Sequence, residues 1–339
     1  MNRLSLLALA GLLIAPAAAD AQGTVTLYCP VVVDWCQAAG TAFERETGTK
    51  VRILQKSAGE ILAQVRAEAS NPKGDVWWNG LADGHLIAAE EGLTIPHEPS
   101  VLGELHPWAR KIHAESKGHA TGTYGIALGF GYNPEILTRK KLAAPRCWAD
   151  LIKPEYRGEV QMANPNSSGT GYAVIATLVQ LMGEEPAFDY LKKLHANVNS
   201  YARSGVGPAK AVARGESGMS IGFMQDVIVE KNAGFPAEIA APCEGTALGI
   251  DAMSIIKGAP NLAGARRFAD WALGPVGQAT GAKIGQMHTA ANRAVPEPSG
   301  SPGISSAQFI DYDFRKYGSS AERKRLLARW EAEINSLPR

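Results

Sequence analysis

Past residue 21 the chain has no apolar run long enough to cross a bilayer. It also has no excess of one charge sign: 34 Lys and Arg face 33 Asp and Glu, a formal net charge of +1. That balance gives no electrostatic basis for a nucleic-acid or anionic-membrane partner. Nucleotide signatures are missing, because no GxxxxGK[ST] occurs and the glycines of "NSSGTGY" lack the third member of a dinucleotide fingerprint. HExxH is absent, and "GESGM" misses the GxSxG spacing by one residue. Catalytic carboxylates can assemble from distant positions without a motif, so a secreted hydrolase of phosphorylated compounds stays open as an alternative. The principal expectation is a binding protein and not an enzyme, with no cofactor. No internal repeat and no low-complexity tract interrupts the chain.

Cysteines are few, and Cys29 and Cys36 flank the short loop "CPVVVDWC", which predicts a bridge if the loop turns back on itself. A zinc site is the rival, but the spacing is unusual for zinc and no His lies nearby. Cys147 and Cys243 are free to pair with each other, and sequence alone does not decide it.

The residues that are present begin with "MNRLSLLALAGLLIAPAAADAQG": an early Arg3, an apolar run and the small-residue pattern Ala19-Asp20-Ala21. This reads as a secretory signal peptide, residues 1–21, cleaved near Ala21 to release a soluble periplasmic protein, expected to be a monomer. "TVTLYC", "KVRILQ" and "DVWWNG" then read as strands alternating with helices, with Asp34 as an N-cap and Gly48 at a helix end. Such alternation predicts a parallel sheet covered on both faces. "TYGIALGFGYNPEIL" and "CEGTALGIDAMSIIKG" are strands dotted with glycine that bracket a middle block, as expected of chain leaving one domain and returning. The predicted architecture is two α/β lobes joined by crossing strands with a ligand cleft between them, lobe 1 from 22–127 and 248–339, lobe 2 from 128–247.

"ANPNSSGTGY" leads into the buried-helix pattern "AVIATLVQLMG". Unpaired amides and the helix dipole make such a start an anion site. Ser167, Ser168, Gly169, Thr170 and Gly171 supply more hydroxyls and glycines than one N-cap needs. "QKSAGE" repeats the pattern with Ser57, although Ser57 three residues before Glu60 also fits a capping box. Asn79 ends the third strand at the same sheet edge. Arg203 and Ser204 precede another helix, and Gln225 with Asp226 close the strand of "GFMQDV", suited to hydroxyls of a polyol.

"FERETGTKVRILQKSAGEILAQVRAEASNPKGDVWW", "NPNSSGTGYAVIATLVQLMG" and "GAPNLAGARRFADWALGPVGQ" resemble the periplasmic solute-binding proteins of ABC importers, in the branch of ferric-binding and hexose-phosphate-binding proteins. The resemblance covers essentially the whole mature chain. It implies a type II bilobal binding fold that closes on a small anionic solute and docks on an ABC permease in the inner membrane. Ferric-binding members use adjacent tyrosines at the strand that here reads Phe223, Met224, Gln225, Asp226, and no adjacent tyrosines occur in this chain. A hard ferric ion wants anionic oxygen ligands, so this departure counts against iron, and a ferric-ion-binding protein is kept as the alternative reading. Hexose-phosphate binders resemble the chain at the serine-rich helix start, which implies phosphate or phosphonate contact by Ser167, Ser168, Gly169 and Thr170. They also resemble it at the acidic residue after the strand, which implies contact of Asp226 and Gln225 with hydroxyls, although that group tends to have His where Gln225 stands.

Overall fold

A computed structural model describes residues 23–303, 305 and 307–338; the expected signal peptide lies outside the described residues. Strands β1 (Val25–Cys29), β2 (Val51–Gln55) and β3 (Val76–Leu81) alternate with helices α1 (Val33–Thr47), α2 (Ala58–Ala67) and α3 (Ala82–Glu90). β1 runs parallel between β2 and β3. Every residue of β3 is buried, as expected of a strand covered on both faces. Gly48 ends α1 in the left-handed region at φ 73°. Asp34, expected as N-cap, instead sits in the first turn of α1, because the helix begins two residues sooner, with Val32 at the N-cap position. Its carboxylate still complements the helix dipole.

β4 (Thr94–Ile95) and α4 (Pro107–Glu115) lead into β5 (Thr121–Tyr132), the longest strand. As far as Ala127, β5 pairs with β10 (Leu248–Ile256), which in turn pairs with β3. From Leu128 onward it pairs instead with β8 (Met219–Phe223) and β9 (Glu238–Ala240). One strand thus belongs to two sheets, and the handover falls between Ala127 and Leu128. The second sheet continues from β8 through β6 (Val160–Ala163) to β7 (Val198–Ala202), all parallel. Around it lie α5 (Pro134–Lys140), α6 (Gly169–Met182), α7 (Glu184–His195), α8 (Gly207–Ala213) and α9 (Met224–Asn232), while α10 (Leu262–Leu273) packs on the first sheet. α6 is apolar nearly all round and is buried from Thr170 to Val179, so it is a core helix of the second sheet.

Two cores follow from this division. Trp35, Trp78, Phe43 and Phe268 meet edge to face under the first sheet. Phe130 packs edge-on against Trp148 under the second. The C-terminal helix Ser320–Trp330 lies against α6 and α7, where Arg325 and Arg329 pair with Glu184 and Arg329 also with Glu185. At its start Ser320 donates to Glu90 and Glu91 at the end of α3, while buried Trp330 lies at its far end, so this helix reaches both sheets.

Cys29–Cys36 and Cys147–Cys243 are both bridged. The first closes the loop between β1 and α1. Replacing both residues by alanine should lower stability by about 2 kcal/mol, the chain-entropy value for so short a loop. Thermal melts of the oxidised wild type and the variant check this.

Candidate functional site

Between the two sheets lies a cavity of about 310 Å³. Its walls come from strand ends and helix starts, where ligands gather in open α/β sheets. The first sheet contributes the loop from Pro30 to Trp35, the start of α2 at Ser57 and Ala58, and Gly80 and Leu81 at the end of β3. The second contributes Ser168 to Thr170 at the start of α6, Ser204 to Val206 before α8, and Phe223 and Asp226 at the β8–α9 junction. Ile126 and Asp251 reach it from the crossing strands, and Gln286 and His288 from the returning segment.

The start of α6 carries the anion-binding geometry. Ser168 is its N-cap, and its Oγ accepts weakly from the Gly171 amide at 3.5 Å. The first amides of the helix, at Gly169 and Thr170, have no intrahelical acceptor. Gly205 crosses directly over them: a Cβ there would stand 2.2 Å from Thr170 Oγ1, so only glycine permits this approach. Hydroxyls of Ser57, Ser168, Thr170 and Ser204 and the α6 dipole thus open onto one space.

Ser57, Ser168, Gly169, Thr170, Ser204 and Asp226 are brought together in this wall. Ser167, Arg203, Asn79 and Gln225 are not among the lining residues. Ser167 Oγ donates to the Arg203 carbonyl at 2.8 Å, and the Arg203 guanidinium pairs with Glu60. Asn79 is fully buried beneath the cavity with φ 66°; its Oδ1 accepts from Thr123 Oγ1 at 2.8 Å and its carbonyl meets His85 Nε2 at 3.2 Å. Gln225 is also fully buried, and its Oε1 accepts from the Ala127 amide at 2.9 Å, at the residue where β5 changes sheets. Asp251, Lys210, Gln286 and His288 carry no motif in the sequence, and the Pro30–Trp35 loop is marked there for its flanking cysteines and for Asp34 as a helix cap, not for a ligand. Asp251 alone leaves a trace there, as a charge inside the apolar strand "LGIDAMSII".

Burial, reinforced by repulsion from Glu230 and partly offset by Lys210, pushes the Asp226 carboxyl up to about 7. Burial and then the charge of Asp226 push Asp251 up to about 7, against a hydrogen bond from the Gly80 amide. Burial pushes His288 down to about 3, so its ring is neutral at physiological pH, and its Nδ1 has no partner among the described residues.

The rim is joined across the cleft. The Gly59 amide at the start of α2 donates to the Ser167 carbonyl at 3.3 Å, a contact that a Cβ on Gly59, 2.8 Å from that oxygen, would push apart. Glu60 Oε2 accepts from the Ser57 amide and hydroxyl at 3.1 and 2.8 Å, while its Oε1 accepts from Arg203. Burial opposes the charge on Glu60, but these bonds outweigh it and hold the carboxyl below its ordinary range. Arg203 is 77% exposed, so solvent screens the pair to roughly 1 kcal/mol at most. Arg203→Ala should therefore weaken solute binding by less than about fivefold, as calorimetric titration would measure.

The metal-type cluster found among the described residues, Cys147, Cys243 and Glu244, has its two sulfurs engaged in a disulfide. No tyrosine lines the cavity among the described residues.

Residues 85–314 match the family model described as bacterial extracellular solute-binding protein. A Haemophilus influenzae protein is 39% identical over 93% of this chain and 92% of its own length. The periplasmic binding protein AfuA of Actinobacillus pleuropneumoniae, solved with exogenous fructose-6-phosphate bound, is 37% identical with a TM-score of 0.89, over 93% of this chain and all of that one. A Salmonella paratyphi A periplasmic protein, provisionally named for 2-aminoethylphosphonate binding, is 25% identical over 80% of each chain. The fold is that of the type II periplasmic binding proteins, two α/β lobes joined by crossing strands around a cleft.

Proposed function

Because this chain belongs to the bacterial extracellular solute-binding proteins, periplasmic partners of ABC importers, we propose that it captures a small phosphorylated or phosphonate solute by hinge closure. The observation that carries the reading is the start of α6. Its free amides and the hydroxyls of Ser168 and Thr170 face a cavity whose opposite wall brings Ser57. A phosphate held there gains contacts from both sheets in the closed state, and in the open state it keeps only those of one. AfuA with fructose-6-phosphate supports a sugar phosphate, and the Salmonella relative keeps phosphonates in the same anion class.

The handover of β5 supports lobes of 22–127 with 248 onward and of 128–247, with the helix Ser320–Trp330 reaching both. Cleavage near Ala21, release as a monomer and delivery of the solute to an inner-membrane permease complete the reading. No covalent step is needed, and the solute leaves unchanged.

A thermal-shift screen of the mature protein against sugar phosphates, phosphonates, inorganic phosphate, carboxylates and ferric salts tests it. A ligand at a hundredfold excess over its Kd adds about 2.7 kcal/mol. Phosphorylated compounds are expected to raise the melting point and to be recovered intact. A shift with carboxylates and none with any phosphorylated compound would overturn the anion assignment. Visible colour with ferric iron would favour the iron-binding alternative, and turnover of the phosphate ester would favour the hydrolase.

A further inference from the structure

The charge lining the cavity does not balance. Asp34, Asp226 and Asp251 face it with Lys210 as the cationic side chain among the described lining residues. Asp34 stands at the exposed rim, where water screens it. Asp251 is only 3% exposed, and Asp226 keeps part of its surface on the cavity. The ion pairs that aspartates make among the described residues belong to Asp150, Asp189, Asp270 and Asp311, so neither cavity carboxylate has one. They lie close enough that Asp226 disfavours the ionised form of Asp251. Buried His288 adds a neutral ring with an unpartnered Nδ1 in the same wall.

Buried carboxylates without a counter-ion are costly, and proteins ordinarily pair them. A solute that brings only negative charge worsens the imbalance, and the α6 dipole offsets about half a charge of it. The missing component is a cation, and Lys210 is one ammonium against the carboxylates of Asp226 and Asp251.

We propose that the solute is zwitterionic: beside its phosphate or phosphonate it carries a protonated nitrogen, held between the carboxylates of Asp226 and Asp251. An aminated sugar phosphate or an aminoalkyl phosphonate has this chemistry. The inference rests on the anion reading above and adds the second pole of the ligand. Its competitor is an amine-free hydroxylated phosphate whose binding makes Asp226 and Asp251 take up protons.

Calorimetric titration at pH about 8 with two matched pairs decides between them: glucosamine 6-phosphate against glucose 6-phosphate, and 2-aminoethylphosphonate against ethylphosphonate. In at least one pair the amine should bind ten- to a hundredfold tighter, the range of a charge-assisted hydrogen bond. Asp251→Asn, and separately Asp226→Asn, should shrink that ratio toward one. Equal or tighter binding of the amine-free member in both pairs overturns the inference and leaves the anion reading standing. Binding by none of the four, with binding of a phosphate-free compound in its place, overturns the anion reading itself. The wild-type comparison is decisive even if neither variant folds.

Discussion

Replacing Ser168 and Thr170 together with alanine is expected to weaken binding of a phosphorylated solute by at least two orders of magnitude. Each hydroxyl opens onto the cavity at the start of α6. A hydrogen bond to a charged partner contributes about 1.5–3 kcal/mol, so two contribute roughly 3–6. At 1.4 kcal/mol per tenfold, even the lower figure exceeds a hundredfold in Kd. The fold should survive. Ser168 caps the helix through a long 3.5 Å bond, and loss of a cap costs about 1 kcal/mol, a few degrees of melting temperature. Ser167→Ala is the internal control, because that hydroxyl is spent on the Arg203 carbonyl and faces away from the ligand space. It should alter affinity by less than about threefold. Calorimetric titration with glucose 6-phosphate, beside thermal melts, reads both effects. A double variant that binds as the wild type does would reduce the α6 start to an ordinary helix cap.

The same control marks the limit of what the sequence made legible. The start of α6 is a local feature: hydroxyls and glycines beside a helical apolar run determine the cap whatever the rest of the chain does. The capping box of Ser57 and Glu60 and the left-handed Gly48 were readable for the same reason. Which hydroxyl then faces ligand depends on long-range packing. Ser167 and Ser168 are neighbours, yet one is turned to β7's loop and the other to the cavity. Asn79 and Gln225 are polar residues at strand ends, as ligands often are. Thr123 and the Ala127 amide, both on β5, claim their side-chain oxygens from within the structure. Asp251 lies in a strand that reads as core, and only the pairing of β10 between β3 and β5 brings it to the cavity. The two disulfides divide likewise. Cys29 and Cys36 are seven residues apart and flank one turn, whereas Cys147 and Cys243 are 96 apart and meet only through the second lobe's fold.

At pH about 8 the ligand-free Asp226→Asn/Asp251→Asn variant should be more closed than the wild type, and the difference should vanish as pH falls toward about 4. Burial raises both carboxyls to about 7, with Glu230 and Lys210 facing Asp226, and Asp226 and the Gly80 amide facing Asp251. If opening the cleft exposes them to solvent, each titrates near 3.9 there. Below that value both states are protonated and closure bears no penalty. As pH rises from about 4 to about 7 the open state releases protons that the closed state retains, so closure loses stability throughout that window. Above about 7 the loss is complete. At 1.36 kcal/mol per tenfold it is on the order of 4 kcal/mol for Asp251, and less for the more accessible Asp226. His288 has the opposite sign, since burial lowers its pKa to about 3 and penalises closure as pH falls below about 6.5. It is present in both proteins and drops out of their difference. Small-angle scattering reads the outcome, because closure shortens the radius of gyration; identical curves for the two proteins at pH about 8 would mean that the carboxylates do not oppose closure. If they do, the empty receptor opens at neutral pH because the carboxylates of Asp226 and Asp251 lack a partner. A solute nitrogen that supplies the partner makes closure report that the cleft is filled, the distinction a permease needs before it accepts cargo.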